Sequence, residues 1–117
     1  MIEYEQLQDL VSAAGLDGAT EILAAFWRST EDLVAGLEKP VADSDFEEAA
    51  RIAHAVKGSA SNVGASGLAD EARQLETACR DKDAAAVGAV YVRLRDQIGT
   101  AKDAYSAYFD MARAKAS

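Results

Sequence analysis

The stretch SDFEEAARIAHAVKGSASNVGASGL, residues 44–68, decides the fold. It opens with Ser44 followed three residues later by Glu47, the spacing of a capping box in which each side chain satisfies the other's free amide at a helix start. Phe46, Ala49, Ala53, Val56, Ala60 and Val63 then recur every three or four positions. That period places them on one face of a helix, because the chain turns by about 100° per residue. Gly64 and Gly67 bracket the following turn, Ser66 can cap the next helix, and Leu68 opens its apolar face.

The same grammar extends in both directions. Upstream, Tyr4 to about Ala14 reads as a short helix ended by Gly15. Asp17 is positioned to cap a second segment, with Ile22, Phe26, Leu33 and Leu37 as its stripe, Thr30 filling a gap, and Gly36 and Pro40 as its stop. Downstream, Leu68, Ala72, Leu75 and Cys79 form an inner face. Asp83 caps a last helix whose seam is Val87, Val90, Leu94, Ile98, Ala101, Tyr105 and Tyr108. No segment alternates with period two, and no asparagine-glycine hairpin turn occurs. Short connections between amphipathic helices make neighbours antiparallel. The expectation is an all-α, up-down-up-down four-helix bundle with a short additional N-terminal helix, one domain over residues 1–117.

Composition agrees and narrows the function. The 117 residues are 50% apolar, with one proline and 7% aromatics, which favours helix over sheet. A net charge of −8 repels phosphate backbones and argues against nucleic acid as a partner. One cysteine excludes an internal disulfide, and no Cys/His cluster suggests a metal. The acidic start Met1-Ile2-Glu3-Tyr4-Glu5 lacks a secretory signal, and no run approaches the ~20 continuous apolar residues of a membrane span. A cytoplasmic protein that neither enters nor docks on a membrane is expected.

The chain's single histidine stands one residue past Ala53 on the stripe of the third helix, so it points to the flank and to water. Lys57 and Gly58 follow three and four positions on, and Ser61 a turn later. Arg51, three residues before, can add a second positive charge. A helix glycine costs roughly 0.5–1 kcal/mol relative to alanine; here it bares the backbone beside the ring. Neutral imidazole is plentiful near pH 7 and offers a nucleophilic nitrogen. An adjacent ammonium can neutralise charge that develops on a transferred phosphoryl group. The plainer reading stays open on these residues alone: surface histidines and lysines are usually only solvated, and helix glycines also occur where helices pack closely.

The run from His54 to Leu68, continued to Leu75-Glu76, resembles the signature of histidine phosphotransfer (HPt) domains. The family pattern is a histidine, lysine-glycine three and four residues on, a glycine at the helix end, a leucine opening the next helix, and a closing leucine-glutamate pair. Each position matches. The resemblance implies that His54 is phosphorylated through Nε2, that Lys57 steadies the phosphoryl group, and that Gly58 leaves room for it. It implies a place for Ser61 near the phosphoryl, and structural roles for Gly64 and Leu68. It implies response-regulator receiver domains and a histidine or hybrid kinase as partners, with no cofactor of its own, the receiver supplying Mg2+. Leu7, Leu10, Val11 and Ala55 are the expected docking residues, and a monomer is expected.

No G-x-x-x-x-G-K-[ST] loop or paired glycine box is present, so the reading is a phosphocarrier without an ATP site, not a self-sufficient enzyme. The alternatives are a non-catalytic helical module that only docks receivers and the phosphoacceptor domain of a larger histidine kinase. Retention of His54 and Lys57 argues against the first. The start at Met1 and the end soon after the last helix argue for a free-standing chain. A metal-holding carboxylate bundle is disfavoured by the single histidine without a Glu-x-x-His motif.

Overall fold

The computed structural model describes residues 2–116; Met1 and Ser117, which entered the expectation of a free-standing chain, lie outside them. Five helices follow in order: α1 (Tyr4–Ala35), α2 (Glu38–Ala42), α3 (Phe46–Asn62), α4 (Ser66–Arg80) and α5 (Ala84–Ala116). The expected break after the N-terminal helix is present inside α1, where Gly15 has φ 78° and ψ 168°, a region essentially reserved for glycine. Asp17 does not cap the continuing helix. It lies within its first turn, and its Oδ1 accepts from Arg113 Nη1 on α5 at 3.2 Å.

The helices pair in opposite senses. Glu31 meets Lys102 and Asp17 meets Arg113, which runs α1 against α5. Glu71 meets Arg93 across α4 and α5, and α3 packs along α4 after a three-residue turn. The result is a rod of 51 × 18 × 18 Å, its length set by the 33 residues of α5, about 50 Å at ~1.5 Å per residue.

The stripes of α3 and α4 are buried as expected, with Ala49, Ala53, Val56 and Ala60 facing Leu68, Ala72, Leu75 and Cys79. Phe46 is only half-buried, at the edge of the core. Small residues on the α3 side allow close approach of the two helices. The stripe of α1 is turned by about one position from the sequence reading. Ile22 is 44% exposed and Leu33 half-buried, while Leu23, Phe26, Trp27, Thr30, Val34 and Leu37 are inside. Trp27 explains the difference: seating its ring edge-on against Tyr105, centroids 5.6 Å apart, fixes the rotation of the helix. Likewise Phe109 is buried at the end of α5 and Tyr108 is half-buried. By length and composition Tyr4–Ala42 also meets the minimum for a membrane-crossing helix. It is interrupted at Gly15 and Gly36, and its largest apolar side chains lie in the bundle.

Three turns end in one pattern, a left-handed residue flanked by two reversed amide bonds. At the end of α3, Gly64 has φ 76°, Ala65 N donates to Ala60 O at 2.9 Å, and Gly64 N to Ser61 O. Lys82 (φ 55°) plays this part after α4, where Asp83 N donates to Ala78 O, and Ser44 (φ 55°) after α2, where Asp45 N donates to Pro40 O. Ser44 is therefore spent on ending α2. The cap of α3 is Asp45, whose side chain accepts from Glu48 N, one residue later than the expected Ser44–Glu47 box. Pro40 sits inside α2, whose early amides need no partner. Ala65 holds the cap position of α4 and Ser66 is its first residue. Asp83 caps α5 as expected, accepting from Ala86 N at 3.1 Å.

Candidate functional site

His54 lies on the α3 face toward α4, its side chain 64% exposed. Ala53 and Val56 on either side are fully buried, so the helix is locked and the ring is carried at a fixed height above the α3–α4 seam. Across that seam stands Glu76, one residue past buried Leu75, its own side chain only 9% exposed. Glu76 Oε2 lies 3.0 Å from His54 Nδ1 and accepts from Arg80 Nη2 at 2.7 Å; Oε1 accepts from Lys57 Nζ at 3.1 Å.

A nearly buried carboxylate normally resists ionisation. Here the Arg80 guanidinium outweighs burial, with Lys57 adding to it, and Glu76 is held down at about 2. It is thus an anion at neutral pH and can only accept hydrogen bonds. His54 Nδ1 must then be the donor. In the neutral ring the proton sits on Nδ1 and the lone pair on Nε2, on the side away from the carboxylate, in an exposed side chain. Fixing the tautomer through the second nitrogen is the device by which carboxylates orient catalytic and metal-bound imidazoles.

Lys57 lies one turn further along the same helix, with its ammonium tethered to the same carboxylate. Gly58 is exposed, and a Cβ added there would meet nothing within 4 Å. Packing inside this chain does not demand glycine, so the bare backbone is an open surface beside the ring. Arg51 is not directed at the ring. Its guanidinium is bonded to Glu48 on the same helix, with Nε to Oε2 at 3.0 Å. It shares with His54 a groove of about 490 Å³, floored by Phe46, Ala50 and Cys79 and rimmed by Arg80 and Lys82. Burial pushes the Cys79 thiol up, and Glu76 adds to that. Ser61 is about 10 Å along the axis from His54 at ~1.5 Å per residue. Its hydroxyl donates to Lys57 O at 2.9 Å.

The docking expectation needs one correction. Leu7 is 1% exposed, a wedge in the core that offers no surface to a partner. The N-terminal helix must cover the end of the bundle, and it does so at the last turn of α3. Gln6 Nε2 donates to Ser61 O and Asn62 O, and Glu3 N to Gly64 O at 2.7 Å. Leu10, Val11 and Ala55 are half-buried.

Two residues of the site carry no chemical role in the sequence reading: Glu76, which closes the family signature, and Arg80. The signal for Glu76 was a carboxylate one position off a buried leucine, three before Cys79 and four after Ala72, on the flank turned to α3. Arg80 follows it at the i, i+4 spacing that lets the two side chains meet. Among the described residues no group of three or more His, Cys, Asp or Glu side chains could hold a metal ion.

Comparison with known proteins agrees with this fold. The family model of the Hpt domain matches residues 21–104. The fold is similar to histidine-containing phosphotransfer protein B (HptB) from Pseudomonas aeruginosa PAO1, with TM-score 0.85, 20% identity, and 94% of this chain and 95% of that one covered. It is also similar to a rice protein classed as a histidine-containing phosphotransfer protein, with TM-score 0.79, 19% identity, and 99% and 84% covered. No curated protein sequence matches the chain. With the model spanning most of the chain, including His54, Lys57, Gly58 and Glu76, the protein belongs to the Hpt domain family.

Proposed function

We propose that this histidine phosphotransfer protein carries the phosphoryl group of its phosphorelay on Nε2 of His54. The observation that supports this most is the 3.0 Å contact between His54 Nδ1 and the ionised, nearly buried Glu76. It occupies one ring nitrogen as a donor and leaves the other with its lone pair free. Nε2 attacks the phosphorus of a phosphorylated aspartate in a receiver domain, the P–O bond breaks, and the carboxylate departs. In the reverse direction a receiver aspartate attacks phosphorus and the P–N bond breaks. Lys57, its ammonium bonded to Glu76 Oε1 at 3.1 Å, supplies positive charge for the equatorial oxygens, and Gly58 lets the partner's backbone approach.

The chain acts as a phosphocarrier and not as a kinase. Response-regulator receivers exchange the group with it, Mg2+ comes with the receiver, and a histidine or hybrid kinase feeds the relay. The protein works as one domain, a monomer in the cytoplasm, away from membranes and nucleic acid. The test is incubation with phosphorylated receivers and Mg2+, followed by peptide mapping. The expected product is an acid-labile, base-stable phosphate on the peptide containing His54. A stable complex with a receiver and no label would instead support a module that only docks.

A further inference from the structure

Glu76 bears on the charged state of the carrier as well as on the resting one. Placing a phosphoryl group on Nε2 of the Nδ1–H tautomer leaves the ring with a formal positive charge. In water such a ring sheds its Nδ1 proton as pH rises. The neutral phosphorylated ring left behind is a poor donor, because breaking its P–N bond would expel an imidazolate. The proton on Nδ1 therefore decides whether the group can move on.

We propose that Glu76 keeps that proton on His54 Nδ1 through both halves of the relay, so that the phosphoryl group enters and leaves Nε2 with no proton moving. On entry the Nε2 lone pair forms the P–N bond, and the pair of the broken P–O bond stays with the donor carboxylate. On exit the acceptor carboxylate forms a new P–O bond, and the P–N pair returns to Nε2 and restores the neutral Nδ1–H ring. The inference rests on His54 being the carrier, and it makes Glu76 a positioning residue for the transfer.

The surroundings support a carboxylate whose charge is constant across the working range. The groove beside the ring is lined from α3 by Glu47 and Arg51 and from α4 and its turn by Cys79, Arg80 and Lys82, and Lys57 reaches Glu76 from α3. Lys57 and Arg80 are bonded to Glu76 itself, and Arg51 to Glu48. The buried Cys79 thiol is shifted further toward its neutral form. Glu76 is thus the anion that meets Nδ1, and two cations hold it in place from either side.

The experiment charges the full chain with phosphoramidate, a small P–N donor that needs no docking surface, and follows the 15N and 1H signals of the phosphorylated ring against pH. In the native protein Nδ1–H should persist from about pH 6 to 9, well above the ordinary imidazole value of ~6.5, and the hydrolysis rate should stay flat. In Glu76→Gln the neutral amide accepts the hydrogen bond without favouring the cation. Its phosphohistidine should lose the proton within that range and persist about tenfold longer per pH unit beyond its titration. Loss of Nδ1–H near the ordinary value in the native protein would overturn the proposal, and that spectrum alone decides should the variant fold poorly. Failure of His54 to take phosphate at all would overturn the carrier assignment as well, so the two failures are distinguishable.

Discussion

His54 and Glu76 are 22 residues apart in sequence and 3.0 Å apart across the α3–α4 seam, Nδ1 to Oε2. The contact joins an exposed ring to a nearly buried anion. Chemistry at the surface is thereby set by a group solvent barely reaches. It also separates two kinds of substitution, those that remove the chemistry and those that remove its support.

His54→Gln should abolish phosphate incorporation while leaving the fold intact. The ring is 64% exposed and sits beside the core stripe, not in it. Surface changes of this kind usually stay within about 0.5 kcal/mol. Unchanged helical circular dichroism and melting, with no label from either phosphoramidate or a phosphorylated receiver, is the expected pair of results. A large loss of stability would mark the histidine as structural.

Gly58→Glu separates docking from chemistry. Nothing lies within 4 Å of a Cβ at this position, so the bundle tolerates the side chain. Replacing an exposed helix glycine should even stabilise by roughly 0.5–1 kcal/mol. The added bulk and charge should block transfer from a receiver at least tenfold, yet leave charging by phosphoramidate close to native. Equal loss with both donors would place the effect at the ring and not at the partner surface.

Much of this was legible in the sequence because period and punctuation agreed. The α3 and α4 stripes of small residues and leucines, the breaks at Gly15 and Gly64, and the Asp83 cap all stand in the structure. Ser44 was misread because a left-handed serine at the end of α2 and a capping serine at the start of α3 give the same local string. Only the reversed bond from Asp45 N to Pro40 O tells them apart. The one-position rotation of α1 follows from an aromatic contact 78 residues away, between Trp27 and Tyr105, to which a helical period is blind. Within the site, spacing along one helix singles out His54, Lys57 and Gly58, and the family resemblance supplies their roles. Glu76 acts from a second helix, and its pairing with His54 depends on the register between the two. Arg51 was expected near the ring for its spacing alone, and Glu48, at the same distance on the other side, took it.

The depressed carboxyl of Glu76 makes a signed prediction about acid. Its folded value, about 2, lies below the ordinary 4.5. The unfolded chain therefore binds the proton more readily, and folding gains from the ionised form. That contribution is complete above about pH 4.5 and disappears as pH falls through about 2. Denaturant titrations of native protein and Glu76→Gln should give a stability difference that is constant from pH 5 to 6. The difference should shrink steadily below pH 4.5. A difference independent of pH down to 2 would mean that the Arg80 and Lys57 contacts do not stabilise the ionised carboxyl in solution.

Tyr105→Phe tests how the end of α3, and with it the spacing of the site, is fixed. The phenol is 2% exposed and donates to Val63 O at 2.5 Å, inside the turn that Gly64 forms and Glu3 covers. Burial pushes its hydroxyl up to about 12, so it remains a donor throughout the neutral range. Phenylalanine keeps the ring contact with Trp27 and removes only the hydroxyl, leaving a carbonyl at the turn one partner short. The expected cost is about 1–3 kcal/mol, seen as a lower melting temperature. Because the loss lies at the turn, amide exchange of Gly64, Ala65 and the N-terminal helix should quicken more than that of Ala53 or Val56. Phosphoramidate charging of His54 should be unchanged, since the seam that holds Glu76 against the ring lies more than two helical turns away. A fall in charging as large as the fall in stability would show instead that the turn and the ring form one cooperative unit.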